Sequence, residues 1–198
     1  MCPKKAYFDE KAAEWDTLIK DEVVIRIKNM VEELALPQGS KVLDLGTGTG
    51  ILIPMLIEAV GSSGAVVAVD FAPQMLAEAR KKYQWPNLEF LEGAAEEIPL
   101  EDQVFDEVVC NSAFPHFDDL RQAAQEMARV LRPGGRVTVM HPHSREYIND
   151  LHVSLGGAVK TCLLPEEEVM LAIFAEAGFE ALTLEDVPGR YCLSGRKA

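Results

Sequence analysis

Val42-Leu-Asp-Leu-Gly-Thr-Gly-Thr-Gly50, followed by Ile51, is the stretch from which the fold of this 198-residue chain is read. Lys41–Leu45 is a short apolar run with the length of a buried strand. Three alternating glycines, Gly46, Gly48 and Gly50, interrupt it before a helical stretch over 51–60. Glycine lets the backbone turn sharply and lets a ligand lie against bare main chain. After a turn at 61–64, a second apolar run, Ala65–Asp70, ends in a carboxylate 20 residues beyond Gly50. A carboxylate there can accept two hydrogen bonds from a ribose diol. The glycine triplet alone could be a ligand-free turn, but joined to Asp44 and Asp70 it reads as a nucleotide-type site.

The same rhythm continues outward. Residues 9–35 carry apolar side chains at helical spacing (Ala12, Trp15, Ile19, Val23, Val24, Ile27, Met30, Val31, Leu34), read as two helices ending before Pro37. Downstream come a helix over 73–83 and strands at Leu88–Glu92 and Phe105–Asn111. A helix over 118–131 follows, with Asp118 as N-cap and Pro133-Gly-Gly135 as its stop. A strand over 135–141, a helix over 165–177 and strands near 179–186 and 190–196 complete the chain. Strands separated by helices point to a parallel sheet covered on both faces, and right-handed crossovers then give a doubly wound α/β domain. Its ligands bind beyond the carboxyl ends of the strands.

Composition narrows the partners. Lys and Arg total 19 against 32 Asp and Glu, a net charge of −13. Such a surface repels nucleic acid and anionic membranes. The hydrophobic fraction of 48% suits a globular core. Cys2, Cys110, Cys162 and Cys192 are scattered without a C-x-x-C pair, so neither a zinc knuckle nor a disulfide framework is suggested. The N-terminus lacks an apolar signal region, and no run reaches about 18 apolar residues, so a cytoplasmic protein is expected.

Two ligand classes compete for the loop. The dinucleotide fingerprint of an NAD(P)-dependent oxidoreductase requires Gly or Ala at position 51, which is Ile51. Asp44 would also repel a pyrophosphate, but it suits a ligand carrying an ammonium and a sulfonium. S-adenosyl-L-methionine is that ligand.

Val42 to Gly50 resembles motif I of the class I S-adenosylmethionine-dependent methyltransferases, most closely the ubiquinone/menaquinone-biosynthesis type (methyltransferase type 11). Val69-Asp-Phe-Ala-Pro-Gln-Met75, Glu92-Gly-Ala-Ala-Glu-Glu-Ile-Pro99, Phe105-Asp-x-Val108 and Leu131-Arg-Pro-Gly-Gly135 are similar to the family's later motifs, in order. The resemblance implies a Rossmann-like, mostly parallel seven-stranded sheet with the last strand antiparallel. It implies one domain: N-terminal lid helices over 1–36, a cofactor core over 37–141, an acceptor-site insertion over 142–164, and a C-terminal helix and strand pair over 165–198. Asp44 and the backbone of Gly46, Thr47, Gly48 and Gly50 would hold the methionine part of the cofactor. Asp70 would bind the ribose, Phe71 and Met75 would line the adenine, and Asn111 would join the cofactor site. Ala94 and Ala95 fall at the adenine edge, where Ala94 replaces the family's usual Asp, so the adenine amino group would turn to Glu96, a carbonyl or water. Phe8-Asp9-x-x-Ala12-x-x-Trp15-Asp16 is similar to the family's lid helix, with Trp15 over the cofactor; equally, Trp15 is the core residue of an amphipathic helix.

Methyl transfer from a sulfonium is an in-line displacement, so orientation supplies much of the catalysis, and a base is useful when the acceptor is a hydroxyl or acidic carbon. In the loop after the fourth strand, His116 is the first candidate for that base, with Phe114 beside it as an acceptor contact; otherwise His116 is a surface histidine near a helix cap. After the fifth strand, His141 is a second candidate, and His143 and Arg145 are acceptor contacts. His141, His143 and His152 could instead hold a transition metal, which would make the chain a non-catalytic S-adenosylmethionine- or metal-binding module. Cys110 reads as a small core residue rather than a nucleophile. The expected partner is a small-molecule acceptor.

Overall fold

The computed structural model describes residues 3–198. Seven strands form one sheet: β1 (Lys41–Leu45), β2 (Ala65–Asp70), β3 (Leu88–Glu92), β4 (Phe105–Asn111), β5 (Leu131–His141), β6 (Phe179–Val187) and β7 (Arg190–Lys197). Their order is β3-β2-β1-β4-β5-β7-β6. Pairings from β3 through β5 are parallel, while β7 runs antiparallel to both β5 and β6. This is the doubly wound sheet expected from the alternating pattern, with the last strand reversed.

Alternation along each strand decides which layer covers it. Val42, Val66, Val109 and Met140 face Ile27, Met30 and Val31 of α2 (Asp21–Glu33) and Leu56 and Val60 of α3 (Ile53–Val60). Leu43, Val67, Val108 and Val139 face the opposite layer. That layer contains Met127 of α5 (Leu120–Val130), Ile148 of α6 (Arg145–Leu155), and Met170 and Phe174 of α7 (Glu167–Glu176). Cutting a fully buried residue such as Leu56 to alanine would cost about 2–5 kcal/mol.

The remaining helices close the carboxyl end of the sheet. α1 (Pro3–Lys11) runs into a 3₁₀ segment, Ala12–Leu18, and packs on α4 (Pro73–Lys82). The N-terminal region is therefore three helical pieces, where periodicity predicted two. One further expectation is corrected. The α5 N-cap is Asp119, not Asp118: its carboxylate accepts from the N–H groups of Arg121 and Gln122, both at 3.0 Å. Residues 142–164 contain a full helix, α6, which Ser144 caps. Among the described residues, no helix is long and apolar enough to cross a membrane.

Candidate active site

β1 and β4 are neighbours although β2 and β3 intervene in the chain, so the crevice at the switch point opens beside the motif I loop. Glycine is required there for two different reasons. At Gly46 (φ +76°) a Cβ would stand 2.3 Å from that of Ala113, so only glycine lets the loop after β1 meet the loop after β4. At Gly48 (φ +56°) a Cβ would meet nothing within 4 Å, so bare backbone faces open space.

Two acids define one side of the crevice. Asp44, 1% exposed, accepts a 2.6 Å hydrogen bond from the Thr47 hydroxyl. Asp70 accepts from the N–H groups of Gly48 (2.7 Å) and Ala72 (2.9 Å). Burial raises the Asp44 carboxyl to about 7 against the pull of Thr47, and the Asp70 charge adds to the rise. Burial likewise raises Asp70 to about 6, opposed by its backbone donors. Among the described residues neither acid forms an ion pair, and Lys5, which feels the Asp70 charge, is bonded to Glu92 at 2.7 Å.

The N–H groups of Gly46 and Thr47 both donate to the Val69 carbonyl, at 2.8 and 3.0 Å. The loop's donors therefore tie β1 to β2, and the recognition of a ligand here falls on the acids, the exposed face of Gly48 and the Asn111 amide. The side-chain oxygen of Asn111 is buried without a partner, as is suited to an ammonium donor. Gly50 (φ +86°) turns the chain toward α3. Met75 is buried and Phe71 half-buried in a small cluster with Phe8, and Ala95 is buried while Ala94 is exposed. Glu96 accepts from the backbone of Asp118 and Asp119, so it serves that loop rather than an adenine.

α1 and the 3₁₀ segment lie over this crevice. Asp9 accepts from the Gln74 N–H at 2.9 Å, and Asp16 accepts from the Thr49 hydroxyl and pairs with Lys82, both at 2.6 Å. Phe8, rather than Trp15, is the aromatic packed deepest. Its ring is 5.9 Å from that of Phe71, 5.6 Å from Trp15 and 5.0 Å from His116.

The other side of the crevice is lined by imidazoles from three segments. His116 follows β4, His141 ends β5 at 1% exposure, and His152 lies on the inner face of α6 at 8% exposure. The His116 and His152 rings are 4.7 Å apart. The Nδ1 of His152 bonds the Cys162 carbonyl. Nδ1 of His116, Nε2 of His141 and the hydroxyl of Tyr191 are buried without protein partners. Each such atom costs about 1–3 kcal/mol unless a ligand or water meets it. Burial lowers both His116 and His141 to about 3, with neighbouring His152 adding to each. Both rings are neutral at physiological pH, free to accept a proton's hydrogen bond but not to supply a positive charge.

A family model described as a methyltransferase domain matches residues 43–139. A demethylmenaquinone methyltransferase of Thermus thermophilus is 41% identical over 87% of this chain and 90% of its own length. The chain belongs to the class I S-adenosylmethionine-dependent methyltransferases, of ubiquinone/menaquinone type. A demethylmenaquinone methyltransferase of Chlorobaculum tepidum is 40% identical over 119 residues, and that match spans about half its length (48%). In fold, the chain is similar to the methyltransferase solved in complex with the Haloferax volcanii Trm112 activator. The TM-score is 0.82 over 96% of each chain, at 22% identity. S-adenosyl-L-methionine is the cofactor of this family, and the oxidoreductase alternative finds no support in these matches.

Several expected acceptor contacts are engaged by other residues of this chain. Phe114 is 0% exposed and packs on Phe117 and Phe174 in the core, because the 3₁₀ turn after β4 directs it inward. His143 stacks on Tyr147, the ring centroids 4.1 Å apart. Among the described residues no three His, Cys, Asp or Glu side chains are placed to hold a metal ion, so the His141/His143/His152 metal set is not assembled. Arg145 pairs with Glu166 at 2.8 Å. Cys110 is a core residue, its thiol pushed far up by burial. The approach of His152 to His116 had one weak signal in sequence, the confinement of all four histidines to 116–152. Tyr191 had none.

Proposed function

We propose that this chain transfers the methyl group of S-adenosyl-L-methionine to a small, uncharged acceptor of quinone type. The observation that carries the reading is the pairing of buried Asp44 and Asp70 beneath the bare Gly48 backbone. Two buried carboxylates that form no ion pair among the described residues suit a sulfonium and ammonium better than a pyrophosphate. The residues present fit the group: Asp44 and the Asn111 amide for the methionine end, Asp70 for the ribose, and Phe71 and Met75 for the adenine. When bound, S-adenosylmethionine supplies an activated methyl group and leaves as the neutral thioether.

The chain's own part is orientation. His116 and His141 face the acceptor from the ends of β4 and β5, and Phe8 with Trp15 excludes water above it. Neutral His116 accepts a hydrogen bond from the acceptor's hydroxyl and so aligns its nucleophilic atom with the methyl carbon, the proton leaving to solvent as the methyl group is gained. The quinone class is supported by relatives named as demethylmenaquinone methyltransferases. A cytoplasmic location completes the proposal, supported by the scattered cysteines and by the absence of a membrane-crossing helix among the described residues.

The test is turnover. The protein with S-adenosylmethionine and a 1,4-naphthohydroquinone kept reduced should form S-adenosylhomocysteine and a product one CH2 heavier by mass spectrometry. Formation of neither, with this or other uncharged hydroxylated rings, contradicts the activity.

A further inference from the structure

The methyltransferase reading leaves one arrangement unused, the unit formed by α6 and the segment after it. Asn149 clasps Leu164 twice, its amide donating to the Leu164 carbonyl (3.1 Å) and its oxygen accepting from the Leu164 N–H (2.8 Å). One turn further along α6, His152 bonds the Cys162 carbonyl through Nδ1. A carbonyl only accepts, so Nδ1 of His152 carries the hydrogen and its tautomer is fixed. This anchored ring is one wall of a slot for His116, and Phe8 of α1 is the other. The His116 ring lies 4.7 Å from His152, tilted at 47°, and 5.0 Å from Phe8, edge-on at 74°. Nδ1 of His116 is buried between these walls without a partner.

Resting on the methyltransferase reading, we propose that His152 is a positioning residue. Anchored to the Cys162 carbonyl, it holds the His116 ring so that Nδ1 receives a phenolic or enolic hydroxyl of an uncharged acceptor. The charged and titratable groups facing His116 come from three elements: Lys4 on α1, His141 on β5 and His152 on α6. Lys4, the one cation among them, is engaged by Asp118 and is not left to meet a carboxylate or phosphate. The unpartnered nitrogen of a neutral imidazole is matched by an O–H donor instead.

Histidine-selective ¹⁵N NMR on the full chain with S-adenosylhomocysteine tests this, using 1-naphthol and 1-methoxynaphthalene as probes. 1-Naphthol should shift the His116 Nδ1 resonance and bind at least about tenfold more tightly than its methyl ether. His152→Asn places an amide N–H where Nδ1 stood, and it should keep a single His116 tautomer and the naphthol preference. His152→Gln, whose amide reaches the Nε2 position, should lose both. Affinity for S-adenosylhomocysteine should be unchanged in the two variants. Wild-type protein that fails to bind S-adenosylhomocysteine overturns the methyltransferase reading itself. Protein that binds it but treats the two probes alike, or responds equally to Asn and Gln at position 152, overturns the present inference alone.

Discussion

The two sides of the crevice bury opposite kinds of titratable group. On the β1–β2 side, Asp44 and Asp70 are pushed up to about 7 and about 6, and on the β4–β5 side His116 and His141 are pushed down to about 3. Desolvation is the leading cause in all four, and in each it disfavours the charged form. What differs is how each side is relieved. The acids await a cation, which the sulfonium and ammonium of the cofactor bring. The imidazoles await only a hydrogen-bond donor, which an uncharged hydroxyl brings. One strand-end crevice thus separates a site for a cationic ligand from a site for a neutral one.

The largest effect should come from breaking the contact between the two sides. Gly46→Val would drive a Cβ into Ala113 at a positive φ, and stability should fall by more than about 3 kcal/mol, read as a lowered melting temperature. Removing the imidazole on the acceptor side should leave the fold alone. His116→Gln should lower kcat by about a hundredfold while leaving the Kd for S-adenosylhomocysteine unchanged by calorimetry, so an equal loss in both would erase the distinction between the sides.

A third change sharpens the electrostatic contrast. A carboxyl whose folded pKa lies above its unfolded value of 3.8 costs nothing at low pH, and its penalty grows as pH rises from about 4 to about 7. Asp44→Asn should therefore stabilise the ligand-free protein at pH 8, by about 1–2 kcal/mol, but not at pH 4, while weakening S-adenosylmethionine about tenfold. The histidines run the other way: held near 3 against 6.5, they lower stability as pH falls below 6.5. Thermal melts of wild type and Asp44→Asn across pH 4–8 check both signs. The smallest effect belongs to the lid. Lys82→Met breaks an exposed pair with Asp16 and should change stability by less than about 0.5 kcal/mol, yet speed cofactor release in stopped-flow measurements.

The same contrast explains what the sequence made legible. The acid side is local: Asp44 meets Thr47, and Asp70 meets Gly48 and Ala72, so strand, loop and carboxylate are read from two short segments. The strands β1 to β4 were readable because each is a compact apolar run ended by turn residues. The imidazole side is assembled by topology. His116, His141 and His152 come together only because β4 and β5 are neighbours and α6 folds back over them. Phe114 and His143 sit in the same segments as the histidines, and their divergence depends on a 3₁₀ turn and a stacking partner that periodicity does not report. Tyr191 reaches the site through the antiparallel pairing of β7 with β5, opposite His141, a register no motif encodes.

The most direct measurement is calorimetry of S-adenosylmethionine and S-adenosylhomocysteine binding between pH 6 and 8, in buffers of different ionisation enthalpy. The cationic ligand should bind with release of protons near pH 6.5, because its charge favours ionised Asp44 and Asp70, and the neutral thioether should release fewer. Failure of both to bind at high micromolar concentration would contradict the cofactor site. Equal proton release by the two would contradict the role given to its buried acids.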